Sequence, residues 1–458
     1  MRGLGAAAAP PLGSWHFHRE AAAGDQLDRA RAAADRLLGP YGVVRHCRAF
    51  PQVPGLPTTP IFVARGPKRG FGGRNPGFDV IGMGVSDERD DARLKAVVEA
   101  VERYCFAWPH GPTVVERHPY AEVEGAAVPL DRFRPYSDSQ YGARPELRLA
   151  GPLDPIDWTP AYSLTREGFV LVPASVALST VGFRPPNNFL AAGSSTGVAC
   201  HVSMEAALLA GLLEVVERDA IMHHWFNRRQ PRRVVVDQSG EGAVASLLEQ
   251  HFAPSDFEFS LLDITADTGI PTICCRASST DPERPASAFG AATRPDPAAA
   301  ARKALFECAQ VLAGLHGLGC DARSSVPVSE VRQIWDHARY YASAANVGPV
   351  TRFASSDDRV ELGELAGFGS GDAAPDLQAC VDRLAAADLE VLCVDLTPPD
   401  VAAAGLHTVK VIVPGMVDLN GDARLPQLGS FRLRRVTEAL GWPPFDERDA
   451  NLAPCPMS

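Results

Sequence analysis

Acidic side chains occur in pairs within apolar stretches of this chain, where an uncompensated carboxylate would be costly. Residues 203–225 are mostly apolar, yet Glu214 and Glu217 stand three positions apart among them. On a helix this spacing places both carboxylates on one face, so a cation must meet them. Arg218 is one candidate, because it follows Glu214 by four positions and would pair with it along the helix.

The same arrangement recurs in two other parts of the sequence. The pairs are Glu99 and Glu102 in residues 95–108, Glu214 and Glu217 in residues 203–225, and Glu307 and Gln310 in the segment that begins at Asp296. Mg²⁺ prefers carboxylate and amide oxygens, usually together with substrate phosphates and waters. A single site for Mg²⁺ and phosphate explains three such pairs better than three coincidences, so we expect the three segments to converge.

The segments that carry the pairs are predicted to be helices. Ser203 is suited to the N-cap of the central helix, and Pro297 is suited to the first position of the third. Strand-like runs lie between the helices, for example at 232–237 and 257–264. This alternation predicts a mixed α/β core.

Composition excludes several classes of protein. The 458 residues are 46% hydrophobic and 22% charged, as in an ordinary globular protein, and the net charge of −11 argues against a nonspecific nucleic-acid binder. The ten cysteines include no CxxC pair, so reduced cytoplasmic thiols are expected rather than a zinc ribbon or a disulfide framework. His223 and His224 lack the companions of a zinc site and are interpreted as packing residues.

The chain is predicted to have a short N-terminal extension and one main domain. Residues 1–55 form the extension, which includes an amphipathic helix over 19–38 and lacks a convincing signal peptide or membrane span. Residues 56–458 form the main domain. Within it, the charged and glycine-rich residues 321–380 are interpreted as an exposed insertion, and residues 454–458 as a proline-rich tail.

A series of short motifs resembles the YcaO family over roughly residues 55–458. In chain order they are GMG at 82–84, EAVER at 99–103, STGVA at 195–199, EVVERD at 214–219, DITADTGIP at 263–271, FGAAT at 289–293, ECAQ at 307–310, VPGM at 413–416, LGSFR at 428–432 and PCPMS at 454–458. Each motif alone is weak, whereas their order and spacing together are specific.

The resemblance implies an α/β, YcaO-like fold whose helices bind ATP and Mg²⁺ without a P-loop, and no GxxxxGK followed by Ser or Thr occurs in the sequence. It implies that the metals and nucleotide phosphates are held by Glu99, Glu102, Glu214, Glu217, Glu307 and Gln310. It places Ser195 against the nucleotide, and it makes Arg103, Arg218 and Arg432 candidates for contacting phosphate or supporting the residues that do. The chain departs from the family at Met83, where a lysine is frequent, and Lys95 is the candidate to replace that charge.

The tail adds an expectation about the reaction. Azoline-forming members of the family typically end in Pro-x-Pro-x-Pro, and this chain has Pro454 and Pro456, with Ser458 at the third position. A proline-rich segment favours an extended conformation, which suits insertion into a preformed site. The resemblance implies that these three residues help to position or deprotonate the peptide substrate.

The activity implied is that of a cytoplasmic, ATP- and Mg²⁺-dependent cyclodehydratase that acts on a ribosomally made precursor peptide and releases ADP and phosphate. Cys, Ser or Thr would become thiazoline or oxazoline after phosphorylation of the amide oxygen, which is otherwise a poor leaving group. A separate partner, similar to an adenylating-domain protein, is expected to capture the leader peptide, with a homodimer left open. The alternatives are backbone thioamidation, amidine formation and a noncatalytic nucleotide-binding scaffold.

Overall fold

A computed structural model describes residues 23–66, 69–71, 75–78, 80–107, 116–144, 147, 149–179, 194–237 and 242–457. The helices are α1 (Ala23–Leu37), α2 (Arg89–Ala107), α3 (Tyr120–Val123), α4 (Asp138–Ala143), α5 (Ala174–Ala177), α6 (Met204–Phe226), α7 (Ala243–Leu247), α8 (Pro297–Gly317), α9 (Ile334–Ala342), α10 (Gly348–Phe353), α11 (Ala373–Ala386), α12 (Pro399–Ala404) and α13 (Arg432–Ala439). The strands are β1 (His46–Ala49), β2 (Ile61–Arg65), β3 (Arg69–Phe71), β4 (Asn75–Phe78), β5 (Ile81–Val85), β6 (Glu116–Pro119), β7 (Pro155–Ser163), β8 (Gly168–Pro173), β9 (Val198–His201), β10 (Arg232–Val235), β11 (Glu258–Asp263), β12 (Thr272–Ser278), β13 (Ser287–Thr293), β14 (Arg359–Glu361), β15 (Leu392–Asp395) and β16 (His407–Ile412).

Three larger sheets make up the β structure of the described residues. One has the order β1-β2-β5, the second β13-β12-β11-β10-β14, and the third β6-β7-β15-β16-β9 with β8 paired to β7. The pairings are antiparallel except for β10 with β14, and β3 and β4 form a separate small ribbon. The prediction of a mixed α/β core is confirmed.

The three helices predicted to carry the paired side chains are α2, α6 and α8. Their starts follow local chemistry: the Ser203 hydroxyl accepts a hydrogen bond from the Ala206 N–H at 3.2 Å, and the Asp296 carboxylate accepts from the Ala298 and Ala299 N–H groups. Each helix packs on a different sheet, with α2 on β2 and β5, α6 on β16 and β9, and α8 on β12 and β13. None of the described helices is both long and apolar enough to cross a membrane.

The N-terminal part of the described chain is built into the main domain. Ala33 and Ala34 of α1 are buried in the core cluster that also contains α2, and α1 contacts α12. The boundary expected after residue 55 cuts through a sheet, because β1 precedes it and pairs with β2 beyond it. Of the amphipathic helix expected over 19–38, residues 19–22 lie outside the described part of the chain.

The interpretation of residues 321–380 as an exposed insertion is wrong for residues 334–353. Tyr341, Val350 and Phe353 from α9 and α10 are buried in a core cluster with Trp225 of α6. Arg339 and Arg352 are exposed on these short helices, as is Trp335, while Tyr341, Val350 and Phe353 pack inward. This segment is therefore part of the framework that supports α6.

Candidate active site

Glycines in the strands let the acidic helices lie unusually close to their sheets. A Cβ atom at Gly82 of β5 would stand 2.2 Å from the Ala96 carbonyl oxygen of α2, and one at Gly290 of β13 would stand 2.2 Å from the Cys308 nitrogen of α8. Contacts this short exclude any side chain at these positions. The backbone of each strand therefore fixes the height and rotation of the helix that carries the paired side chains.

The first glutamate of two pairs is anchored to the strand before its helix. Glu99 Oε2 accepts a hydrogen bond from the Met83 N–H at 3.0 Å, and Glu214 Oε2 accepts one from the Gly197 N–H at 2.9 Å. Met83 thus contributes through its backbone, which does not require the lysine that is frequent there in the family resemblance. The two anchors are equivalent, so α2 and α6 present their first carboxylate in the same way.

Basic side chains on the same helices pair with these carboxylates. Arg103 Nη2 lies 3.4 Å from Glu99 Oε1, and Arg218 Nη2 lies 3.4 Å from Glu214 Oε1. Arg218 Nη1 also lies 3.1 Å from Glu217 Oε1, while its buried Nε has no hydrogen-bond partner among the described residues. The intrahelical pair considered from the sequence is therefore present, but it leaves part of the site unpaired.

Glu102 and Gln310 are the unpaired members. Neither side chain has a hydrogen bond or an ion pair within the described part of the chain. Burial raises the pKa of Glu102 well above its ordinary value; Arg103 opposes this shift, and the negative charges of Glu214 and Glu99 add to it. A buried carboxyl that feels the charge of two other carboxylates favours a nearby cation, because the cation offsets their negative charges.

Electrostatic coupling shows that the three helices converge. Burial raises the pKa of Glu217, against the effect of Arg218 and Lys303, and the charges of Glu307 and Glu214 raise it further. Burial also acts to raise the pKa of Glu307, but Lys303, 3.1 Å away, together with Arg218 and Arg294 outweighs it and the pKa is lowered. Charges on α2, α6 and α8 therefore influence one another.

Two basic residues of this cluster escaped the sequence analysis. Lys303 precedes Glu307 by one helical turn, and Arg294 directly follows the FGAAT motif of β13. Burial lowers the pKa of Arg294, and the charges of Glu217 and Glu307 oppose that shift. Two sequence features could have identified them: Lys303 lies four positions before Glu307, and Arg294 lies at the end of a strand. Lys95, expected to replace a missing charge, instead donates to the Val85 carbonyl and the Ser86 hydroxyl.

A cleft opens next to the Glu214 anchor. Its walls include Val215, Val411, Ile412 and Met416, and its polar lining includes Ser194, Thr196, Lys410 and Asp418. Lys410 Nζ donates to the Ser194 and Thr196 carbonyls at 2.8 and 2.6 Å, and the hydroxyls of both residues donate to Asp418.

Lys410 connects this cleft to the acidic cluster. Burial lowers its pKa to about 8, whereas Asp418 and Glu214 favour its charged form. Ser195 lies between the two hydroxyl residues that bind Asp418, and its own hydroxyl forms no hydrogen bond within the described residues. That leaves Ser195 available for the nucleotide contact that the family resemblance implies.

Arg432 does not stand free to contact a phosphate. Its guanidinium is 1% exposed and donates to Asp219 at 2.6 Å and to Asp267 at 2.7 Å. Asp219 also accepts from the Val417 N–H and pairs with His223, while His224 contacts the Ala220 carbonyl. The candidate phosphate contact of Arg432 is therefore corrected to a buried ion network that joins the EVVERD, DITADTGIP and LGSFR motifs.

The proline-rich tail reaches the acidic cluster. The Pro454 carbonyl accepts a hydrogen bond from the Tyr341 hydroxyl at 2.6 Å. Burial raises the pKa of the neighbouring Cys455 thiol to about 12. Cys455 packs in one core cluster with Ile221 and Met222 of α6, about one turn after Glu217. Pro456 lies within this buried segment, whereas Ser458 lies outside the described residues.

Comparison with protein families decides the identity of this arrangement. A family model described as YcaO cyclodehydratase, ATP- and Mg²⁺-binding, matches residues 83–417. This chain belongs to the YcaO family. ATP and Mg²⁺, which the family description names, are its cofactors.

Relatives and solved structures agree with the assignment. An uncharacterized protein of Methanothermobacter thermautotrophicus is 31% identical over 347 residues, covering 73% of this chain and 80% of the relative. A heterocyclase solved in complex with substrate and cofactor is 25% identical with a TM-score of 0.78, covering 96% of this chain and 58% of that one. The heterocyclase TruD is 28% identical with a TM-score of 0.64, covering 81% of this chain and 51% of that one. The chain thus spans little more than half the length of the two solved heterocyclases.

The residues of this YcaO protein fit Mg²⁺ and a nucleotide phosphate. No three His, Cys, Asp or Glu side chains of the described ranges are gathered closely enough to hold a metal by themselves. Mg²⁺ does not need such a cage, since it commonly takes one or two carboxylates and completes its shell with phosphates and water. The unpaired Glu102, whose pKa is raised by Glu214 and Glu99, would supply the carboxylate, and the Arg218 Nε, which has no described partner, would supply a donor for phosphate.

We expect Glu102→Gln to stabilise the ligand-free YcaO protein while weakening its binding of Mg²⁺ and nucleotide. The variant removes a carboxyl whose burial is unfavourable when charged, which should raise the free energy of unfolding by about 1 kcal/mol. A carboxyl with a raised folded pKa stabilises the fold when protonated, and that contribution is lost as pH rises through the folded value. The gain over wild type should therefore grow between about pH 5 and about pH 8.

Urea unfolding at both pH values and calorimetric titration with Mg²⁺ and a nonhydrolysable ATP analogue would measure the two effects. Affinity for the analogue should fall by about tenfold or more. Glu88→Gln, at an exposed position just before α2, is the matched control and should change neither quantity. Unaltered affinity in Glu102→Gln would remove Glu102 from the proposed metal ligands.

Proposed function

We propose that this YcaO protein catalyses ATP-dependent cyclodehydration of Cys, Ser or Thr in a ribosomally made precursor peptide, forming thiazoline or oxazoline rings. The observation that carries the proposal is the convergence of Glu102, Glu214 and Glu217 from two helices, coupled to Glu307 from a third, beside an open cleft. Two structurally similar chains are described as heterocyclases, one of them in complex with substrate and cofactor.

The side chains divide the work by position. We assign the holding of Mg²⁺ and nucleotide phosphates to Glu99, Glu102, Glu214, Glu217, Glu307 and Gln310, with Ser195 against the nucleotide. When bound, ATP would supply the phosphoryl group that converts the amide oxygen into a leaving group, and Mg²⁺ would offset the negative charge of the phosphates. Arg103 and Arg218 pair with the first carboxylates, and the charge of Glu214 acts on both arginines.

The cleft lined by Lys410 is where we place the reacting part of the peptide. Its apolar walls suit the peptide's aliphatic atoms, and its polar residues lie next to the Gly197 anchor of Glu214. Lys410 donates to two loop carbonyls, so it keeps the 194–197 turn in the conformation that orients Glu214. A peptide amide in this cleft would lie beside the acidic cluster, as phosphoryl transfer to its oxygen requires.

We place the reaction in the cytoplasm, together with a separate partner that captures the leader peptide. The ten cysteines are free thiols in the structure, which supports a reducing compartment. A homodimer is one arrangement in which the chain would act.

Mass spectrometry of the reaction tests the proposal. The chain would be incubated with ATP, Mg²⁺, and the precursor peptide and leader-binding protein encoded beside its gene. Cyclodehydration removes one water per ring and releases ADP and phosphate. An amide oxygen labelled with ¹⁸O should appear in the released phosphate, because that oxygen leaves as phosphate. Unlabelled phosphate with ring formation would contradict direct phosphorylation of the amide.

Thioamidation is the second candidate, favoured by Ser458 at the position where the azoline-forming pattern has its third proline. In the same assay with added sulfide, it would replace oxygen by sulfur and raise the peptide mass without loss of water. Nucleotide binding without any change in peptide mass would instead support the noncatalytic scaffold.

A further inference from the structure

The tail segment, residues 449–457, is held by side chains from α6, from the turn that follows α6, and from α9. Its backbone carbonyls accept hydrogen bonds from Arg228 Nε to Asp449 (2.7 Å), Trp225 Nε1 to Ala453 (2.9 Å), Tyr341 hydroxyl to Pro454 (2.6 Å) and His337 Nδ1 to Cys455 (2.8 Å). Here a series of carbonyls is bound, and most of the donors are aromatic side chains.

The donors are buried as deeply as the core. Trp225, His337 and Tyr341 are each 1% exposed, and Cys455 and Met457 of the tail segment are 5% and 4% exposed. Proline has no N–H group, so Pro454 and Pro456 weaken any strand pairing, and the tail's carbonyls need donors from outside. The buried donors of α6 and α9 meet that need.

His337 links the tail segment to a second loop. Its Nδ1 contacts the Cys455 carbonyl and its Nε2 lies 3.1 Å from the Gly421 carbonyl oxygen. A small space under the tail is lined by Met222, His337, Asn420 and Pro454. The ring therefore stands between the tail and the loop that follows Asp418 of the cleft.

The segment ends beside the second acidic pair. Cys455 and Met457 are buried in one core cluster with Ile221 and Met222 of α6, which follow Glu217 by about one helical turn. Residues held at 453–455 thus set the position of Pro456 and Met457 relative to α6.

We propose that Tyr341, His337 and Trp225 form a clamp that positions the tail segment at the Glu217 side of the active site, and that the reaction depends on this clamp. The inference rests on the proposed function, in which the tail helps to position the peptide substrate. These are positioning residues, since they act through the tail's backbone. The clamp includes α9, which lies in the segment that composition suggested to be exposed.

Tyr341→Phe tests the clamp, with Tyr340→Phe as the matched control. The first variant removes only the hydroxyl that donates to Pro454, whereas the Tyr340 hydroxyl forms no hydrogen bond with the tail among the described residues. Tyr341→Phe should lower kcat for peptide modification by about tenfold and leave the affinity for Mg²⁺ and a nonhydrolysable ATP analogue unchanged. Tyr340→Phe should match wild type in both measurements.

A truncation shows whether the effect passes through the tail. In a chain that lacks residues 453–458, Tyr341→Phe should cause no further loss, because the group it positions is gone. The proposal would be overturned if Tyr341→Phe lowered kcat in the truncated chain as much as in the full chain. It would also be overturned if Tyr341→Phe had the kcat of wild type.

Alkylation of Cys455 reports on the clamp without any assay of activity. Iodoacetamide followed by peptide mapping should label Cys455 about tenfold faster in Tyr341→Phe and in His337→Gln than in wild type or Tyr340→Phe, since thiol reactivity follows exposure. Buried Cys393 should stay protected in every variant, which excludes general unfolding. If Cys455 is labelled faster in the variants but the wild-type chain does not modify the peptide, the clamp is supported and the proposed function is refuted. Unchanged labelling of Cys455 in both variants would refute the clamp.

Discussion

Glu214→Gln is expected to lower kcat for ATP-dependent peptide modification by about a thousandfold. The glutamate is anchored by the Gly197 N–H and faces Arg218, so glutamine preserves the shape of the site and removes its charge. Without that charge, the site would lose a proposed ligand for Mg²⁺. Glu102 would also have one fewer carboxylate nearby. Peptide mass change and phosphate release at saturating ATP would measure the loss.

A control on the same helix separates catalysis from helix stability. Glu205→Gln changes a buried glutamate in the first turn of α6, far from the acidic pairs in sequence, and should retain activity. If Glu214 served only its intrahelical pair with Arg218, Glu214→Gln would cost about 0.5 kcal/mol of stability and leave turnover intact. Full turnover in Glu214→Gln would therefore refute the metal assignment and favour the structural pair.

The elements of the active site follow from local sequence, and the structure bears this out for α2, α6 and α8. Their caps, their apolar faces and the three-residue spacing of the acidic pairs depend on residues within one or two helical turns. Convergence of the three helices was inferred only because three costly pairs needed a common explanation. In the structure, the charge of Glu214 on α6 raises the pKa of Glu102 on α2, which is consistent with that inference.

Contacts between distant parts of the chain were beyond the reach of sequence patterns. The spacing of charges and glycines in residues 321–380 suggests exposure, yet Tyr341 reaches Pro454 across 113 positions. In the sequence, Lys410 is a single polar residue within an apolar strand. Its hydrogen bonds to the carbonyls of the 194–196 turn are evident only in the fold. In both cases the residue's partner, rather than its own neighbourhood in sequence, determines its role.

Arg432 shows how a family resemblance can assign the right motif and the wrong contact. Its partners Asp219 and Asp267 precede it by 213 and 165 positions, and each belongs to another of the recognised motifs. Burial acts to lower the pKa of Arg432, but the two carboxylates outweigh it and raise the pKa. Burial acts to raise the pKa of Asp219, and Arg432 and His223 hold it well below the ordinary range.

Arg432→Met should therefore destabilise the fold by about 3–5 kcal/mol, because it leaves two buried carboxylates without their cation. Arg434→Met, an exposed change two positions away in α13, should have little effect on urea unfolding. A depressed folded pKa contributes stability above the ordinary aspartate value of about 4 and loses it as pH falls towards the folded value. The deficit of Arg432→Met should thus be full at neutral pH and shrink below about pH 4, where wild type loses the stabilisation that comes from the depressed pKa of Asp219. A deficit that stays constant with pH would show that the arginine stabilises the core through packing alone, since loss of hydrocarbon contacts does not titrate.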